Sequence, residues 1–221
     1  MNIDENLSNQ LNEDNKDLLP QNILEHSINN IFRKKLVYVC SFGTESAIIL
    51  HMISDIDRSF PIILLNTNYL FKETIEYKDY LIDKFKISKL KEISPSVEDL
   101  KINDSKGTLW KEDPDLCCNI RKVLPLQKEL QKYDAWISGR KSYHEEERKN
   151  LEFFEYINQK VVINPLAKVN QNFVNSYFKM NNIERHPLFE SGYLSIGCTH
   201  CTAMTSMIDS RMSVRWAESV K

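Results

Sequence analysis

Short β-rich runs alternate with longer amphipathic segments along most of the chain, and no other feature constrains the fold as strongly. "KLVYVCSF" is a buried-strand run that ends at Gly43, and "ESAIILHMISDI" after it has helical spacing. "PIILLNTN" and "KETIEYKDYLIDKF" repeat the pattern, and "KLKEISP" supplies a third strand. "KVLPLQKELQKY" reads as a helix with Pro125 near its first turn, followed by the strand and loop "DAWISGRK". "VVINPLA" is a further strand and "NQNFVNSYFKMNN" a final helix, while "PQNILEHSINNIFRKK" places a helix ahead of the first strand. Such alternation predicts an α/β fold: a parallel-stranded sheet flanked by helices, with ligands bound at the carboxyl ends of the strands.

The 221 residues suit one domain with a sizeable core. Residues 1–18 are acidic and amide-rich, so a disordered segment is expected there, with a single domain over 19–221. A net charge of −2 provides no global basic field, and no nucleic-acid partner is expected. No apolar run reaches membrane-spanning length and the N-terminus lacks a signal-peptide pattern, so no membrane partner and a cytoplasmic location are expected. In a reducing cytosol, clustered cysteines point to metal or redox chemistry before structural disulfides.

Between the first strand and its helix lies "CSFGTES". Ser41, Gly43, Thr44 and Ser46 bring small side chains and open backbone N–H groups to a helix N-terminus, a setting that can cradle phosphate or sulfate. It has neither the lysine nor the spacing of a P-loop, and alone it is equally an ordinary capped turn.

The five cysteines are Cys40, the adjacent pair Cys117 and Cys118, and Cys198 and Cys201 in "GCTHCT". Cys40 ends a buried strand and reads as a core thiol. Unrelated buried thiols would explain single cysteines rather than two tight pairs. A structural zinc site usually draws on two CxxC-type pairs, which a CC pair fits poorly. Helical neighbours project about 100° apart and reach different corners of a larger object, so a [4Fe–4S] cube suits the set better. Arg121 and Lys122 follow the CC pair on the next turn, as solvated charges or as cations that temper a thiolate-bound group. His200 reads as an exposed spacer.

Several segments in order resemble one family. "CSFGTES" is similar to the SGGxDS-like loop of the adenine nucleotide α-hydrolase-like superfamily, and Phe42 and Glu45 match its sulfonucleotide reductase branch. "LLNTNYLFKETIEYKD", "DAWISGRK", "INPLA" and "HPLFESGYLSIGCTHCT" resemble that branch's motifs in register, from Lys35 to Thr202. Asn66 and Asn68 stand where Asp and Gly are usual, Lys168 where "PLAD" is usual and Ala203 where "CTR" is usual. CC…CxxC is the pattern of the adenylylsulfate reductases; the cluster-free enzymes that use the 3′-phosphorylated substrate lack it.

The resemblance implies one [4Fe–4S] cluster per chain on Cys117, Cys118, Cys198 and Cys201. It implies adenosine 5′-phosphosulfate as substrate, reduced to sulfite and AMP in sulfate assimilation, with thioredoxin as reductant. The substrate contacts it implies are Ser41, Phe42, Gly43, Thr44, Glu45, Ser46, Leu65, Lys122, Arg140 and Arg215. Lys141, Arg148 and Arg211 are further cationic candidates. It also allows a homo-oligomer. The family's attacking cysteine lies in an "ECGLH" tail, which does not occur here; the sequence stops at "RWAESVK". The chain as given is therefore expected to bind substrate and cluster with little or no turnover, either truncated before its tail or a tailless relative. The competing expectations are a 3′-phosphoadenylylsulfate reductase, a non-catalytic sulfonucleotide-binding protein and an ATP-using adenylating enzyme of the same superfamily.

Overall fold

The computed structural model describes residues 3–141 and 151–204. Among them six strands form one sheet: β1 (Leu36–Cys40), β2 (Ile62–Leu65), β3 (Leu90–Ile93), β4 (Ala135–Ile137), β5 (Phe154–Ile157) and β6 (Lys160–Ile163). Their order is β3-β2-β1-β4-β6-β5, parallel except for β5, which runs antiparallel to β6 at one edge. The expected α/β architecture is what forms. The direction of winding changes at β1, between β2 and β4, so the loops after these three strands meet at one end of the sheet.

Both faces of the sheet are buried because both sets of alternating strand side chains are apolar. Leu36, Tyr38 and Cys40 face a core shared with α2 (Pro20–His26), α3 (Ser46–Ile56), α4 (Lys72–Phe85) and α9 (Gln171–Met180). Val37, Val39, Ile63 and Leu65 face the other way, onto Leu126 and Leu130 of α8 (Leu124–Leu130). Each such side chain contributes about 1.5–3 kcal/mol by leaving water.

Two segments differ from the sequence expectation. Residues 1–18 were expected to be disordered, yet α1 (Glu5–Asn15) forms, with the Asp4 side chain accepting from the Leu7 N–H at 2.9 Å. Its anchor is polar: Asn12 donates to the Phe154 carbonyl at 2.8 Å and accepts from the Phe154 N–H at 2.9 Å, closing the free edge of β5. Only Leu11 of α1 reaches the main core as a fully buried residue, so apolar periodicity carried little signal. The second segment is β5, reached through a two-residue turn at Asn158 and Gln159. Both have positive φ, 50° and 62°, as tight hairpins require.

Candidate functional site

The carboxyl end of the sheet is built from four pieces, and hydrogen bonds hold each to the next. The first is the loop after β1. Phe42 turns the chain there with φ of 51°, a left-handed conformation that costs a non-glycine residue roughly 1–2 kcal/mol. Its ring is fully buried in the main core, which offsets that cost and leaves the backbone as the part nearest a ligand. Leu65, at the end of β2, is likewise a core side chain. The loop hydroxyls fold the loop itself: Ser41 Oγ accepts from the Gly43 N–H at 3.3 Å, and Ser46 Oγ donates to the Gly43 carbonyl at 2.8 Å. Glu45, just before α3, forms a buried ion pair with Lys141 from the loop after β4. Arg140 in that loop pairs with Glu155 and reaches Asn164 Oδ1 at 3.3 Å. Arg148, Arg211 and Arg215 lie outside the described residues.

The second piece is the segment that carries the CxxC pair. Thr44 Oγ1 donates to the Leu194 carbonyl at 3.2 Å, which lays residues 194–198 against the β1 loop. A Cβ added at Gly43 would meet Ser41 Oγ at 3.3 Å and the Ile196 carbonyl at 3.5 Å, so a glycine there permits the close approach. Upstream, His186 begins α10 (Pro187–Glu190). Its Nδ1 accepts from the Leu188 N–H at 3.1 Å, so the proton sits on Nε2, which donates to Thr74 Oγ1 of α4 at 3.0 Å. Burial depresses the His186 pKa to about 4, with Glu73 opposing, and the ring stays neutral. Tyr77 Oη donates to the Glu184 carbonyl at 2.7 Å and completes this anchor on α4.

The third piece is the loop after β2. Leu70 and Cys198 form an antiparallel bridge, and the Thr199 N–H donates to the Tyr69 carbonyl at 2.8 Å. Thr67 Oγ1 lies 3.1 Å from Cys198 Sγ. Asn68 has φ of 66°, a conformation that suits Gly or Asn, and this accounts for asparagine where the resemblance expects glycine. Asn66 donates to Glu92 Oε2 at 3.4 Å, where an aspartate would set two carboxylates face to face.

The fourth piece carries the CC pair. Asp113 caps α7 (Pro114–Cys118), accepting from the Leu116 N–H at 3.0 Å, and the path continues through a π turn over Asn119–Val123 into α8. Pro125 has no N–H to return to the carbonyl of Arg121, and the wide turn, closed by the Leu124 N–H on the Asn119 carbonyl, accommodates that loss.

Here the four paired cysteines meet. Cys117, Cys118, Cys198 and Cys201 line one small cavity, partly open to solvent, together with Arg121 and Lys122. Among the described residues no three His, Cys, Asp or Glu side chains are grouped to hold a single metal ion. Cys40 is elsewhere, buried beneath the β1 loop, and burial pushes its thiol up to about 12. Cys117 is pushed up to about 11, by burial first, with Arg121 acting against that rise.

Arg121 is the hub. Its Nη1 donates to the Thr67 carbonyl at 2.9 Å, and its Nη2 to Tyr69 Oη at 3.0 Å and to Asp104 Oδ2 at 2.5 Å. The guanidinium lies 4.0 Å from the Tyr69 ring centroid. Burial disfavours the Asp104 charge, yet the Arg121 bond and the Leu109 N–H outweigh it and hold the carboxyl below its usual range. Arg121 Nε is buried with no acceptor. Asp104 was not expected from the sequence; it sits just after α5 (Val97–Asn103) and ahead of the Gly107 turn, with no motif to mark it. His200 is exposed as expected, but it is more than a spacer: its ring stacks on Trp110 at 4.2 Å and meets the Tyr69 ring edge-on at 4.7 Å, forming one wall of the cavity.

Comparison with known proteins agrees with this picture. Residues 35–204 match the phosphoadenosine phosphosulfate reductase domain. The chain is 38% identical to the adenosine 5′-phosphosulfate reductase of Chelativorans sp. (strain BNC1), across 92% of this chain and 84% of that protein. It is 34% identical to the enzyme of the same name from Bacillus cereus (strain Q1), across 86% and 82%. Among solved structures, the phosphoadenylyl-sulfate reductase of Candida auris, in a phosphate complex, superposes with a TM-score of 0.77 at 25% identity, covering 92% of this chain and 99% of that one. The FMN adenylyltransferase of Candida glabrata, 12% identical with a TM-score of 0.55 over 90% of this chain and 73% of its own, shares the fold alone. Motifs, sheet order and comparisons coincide, and the chain belongs to the phosphoadenosine phosphosulfate reductase domain family.

Proposed function

We propose that this chain binds adenosine 5′-phosphosulfate and supports its reduction to sulfite and AMP in sulfate assimilation, with a dithiol of the thioredoxin type as reductant. The observation that carries the reading is the meeting of all four paired cysteines at one cavity beside the β1 and β2 loops. That pairing distinguishes the adenylylsulfate-using branch, and the 34–38% identity to proteins of that name supports the same choice.

The four cysteines would hold a [4Fe–4S] cluster. The choice of a cube over one zinc ion rests on the adjacent Cys117 and Cys118, since a structural zinc site usually draws on two CxxC-type pairs. The buried Arg121 Nε–H supports a sulfur-rich occupant as well, since an orphaned buried donor costs about 1–3 kcal/mol and a thiolate or sulfide would satisfy it. The cluster would supply structural support and an electrostatic environment, while the electrons come from the reductant's thiols.

The chain's own residues bind and orient. Backbone N–H groups at the start of α3, in the loop that Ser41, Gly43, Thr44 and Ser46 shape, would face the phosphosulfate. Lys122, Lys141 and Arg140 would supply positive charge, with Glu45 and Glu155 holding the last two in place. A thiolate attacks the sulfate sulfur; an S–S bond forms as the S–O bond to AMP breaks, and AMP leaves with the electron pair. One reductant thiol then attacks the protein sulfur of that S-sulfonate, forming a mixed disulfide as sulfite leaves with the S–S electron pair; the second reductant thiol attacks its partner sulfur in that mixed disulfide, closing the reductant's own disulfide as the protein thiolate leaves. The attacking thiol would be of the kind the family's ECGLH segment carries.

The test is sulfite release from adenylylsulfate with reduced thioredoxin, for this chain and for one extended by an ECGLH segment, beside the 3′-phosphorylated substrate. Activity of the extended chain on adenylylsulfate is expected. Sulfite from the 3′-phosphorylated substrate alone, or zinc in place of about four irons and four sulfides per anaerobically purified chain, would overturn the assignment.

A further inference from the structure

Asp104 is the most deeply buried acid beside the cysteine cavity, and no part of the function above assigns it a task. Its side chain is 1% exposed and its partner's, Arg121, 5%. One Asp104 oxygen accepts the Leu109 N–H at 2.9 Å and the other Arg121 Nη2 at 2.5 Å, so the carboxylate is fixed at both ends. Through it the short helix α6 (Leu109–Glu112), which carries Trp110, is tied to the π turn that directly follows the helix carrying Cys117 and Cys118. Arg121 in turn reaches the β2 loop at Thr67 and Tyr69, beside Cys198. Both terminal nitrogens of the guanidinium are thus held by protein acceptors, and Nε, on a side chain that lines the cavity, is not.

We propose that Asp104 is a positioning residue that locks the Arg121 guanidinium so that its Nε–H donates to a sulfur of the group held by the four cysteines. The inference rests on the cluster reading above. A carboxylate and a two-armed cation are needed together: the Thr67 carbonyl and Tyr69 Oη alone leave the planar fork free to turn, whereas a charge-assisted bond to a carboxylate fixed at its far end does not. The pair also explains a buried acid beside a thiolate-rich cavity, where an unpaired carboxylate would repel the cysteines.

The test uses anaerobically purified full chain with its iron, and follows iron release to a ferrous chelator together with the visible absorption of the bound group. Loss of a partner that orients a metal-site residue typically costs 10–100-fold, so Asp104→Asn is expected to release iron roughly 10–100 times faster with an altered absorption band. Arg121→Lys keeps the charge but loses the fork; it is expected to behave the same way and serves where Asp104→Asn does not fold. Glu129→Gln removes a buried acid that pairs with Lys91 at 2.8 Å and does not line the cavity, so it reports general destabilisation alone. Release from Asp104→Asn and Arg121→Lys within twofold of Glu129→Gln would overturn the role of Asp104 while leaving the cluster in place. Wild-type chain without iron would overturn the cluster reading, and this inference with it.

Discussion

The sheet interior and the carboxyl-end site are both buried, but by opposite chemistry. Around β1 and β2, burial is apolar on both faces and supported from many directions, by Leu36, Val37, Val39, Ile62 and Ile63 among others. Around the cysteine cavity the buried groups are Arg121, Lys122 and Asp104, and Glu45 and Lys141 lie near the β1 loop. Apolar burial is non-directional and tolerates drift; buried charge survives only where each partner is placed. Stability should therefore be a property of the interior and chemistry a property of the edge, and the two should come apart on mutation.

The largest expected effect on stability belongs to the interior. Ile63→Ala, in the middle of a buried strand, is expected to lower unfolding free energy by about 2–5 kcal/mol in urea titrations, with iron per folded chain unchanged. Iron lost in proportion to stability would break the separation.

Next is the anchor on α4. The folded pKa of His186, about 4, lies below its unfolded value near 6.5, so between those values the unfolded chain binds a proton the folded chain does not. Stability from this group is present above pH 6.5 and falls as the pH drops towards 4, by up to about 3 kcal/mol. Urea midpoints across that range should show the slope in the wild type and a shallower one in His186→Asn; equal slopes would remove His186 as the cause.

Smaller still is the α1 clamp. Asn12→Ala removes two bonds to Phe154 and should cost about 1–2 kcal/mol, with faster amide exchange confined to α1 and β5. Uniform exchange would mean that α1 is held by Leu11 instead. Smallest in stability is Cys198→Ser in the iron-free chain, expected within about 1 kcal/mol because a hydroxyl can keep the contact with Thr67. The same variant should lose iron at least tenfold, sharpening the contrast between what folds the chain and what it holds.

Legibility followed the same division. Strands and helices over residues 36–93 were readable because their signals lie within one window: period-two or unbroken apolar runs, 3.6-residue spacing and the turn at Gly43, whereas the short helices α5, α6 and α7 carried no such signal. The α1 helix was not, since its anchor is Asn12 on a strand far along the chain, and polar residues carry no periodic signal for such a bond. In the site, motif order placed Phe42 and Leu65 near a ligand, but a motif does not say which way a side chain points, and both point into the core. The asparagines at 66 and 68 looked like departures; φ at Asn68 and the contact of Asn66 with Glu92 make them local fits.

By itself the sequence determined the long helices α3, α4 and α9, the parallel strands, the α/β class and the two cysteine pairs, because each is encoded by neighbours a few residues apart. Only the tertiary structure decided that the pairs share one cavity, that Cys40 stays out of it, and that Asp104 answers Arg121. Those facts depend on segments brought together by the winding of the sheet around β1. A buried charge is acceptable only where that winding delivers its partner, and no local pattern records the delivery.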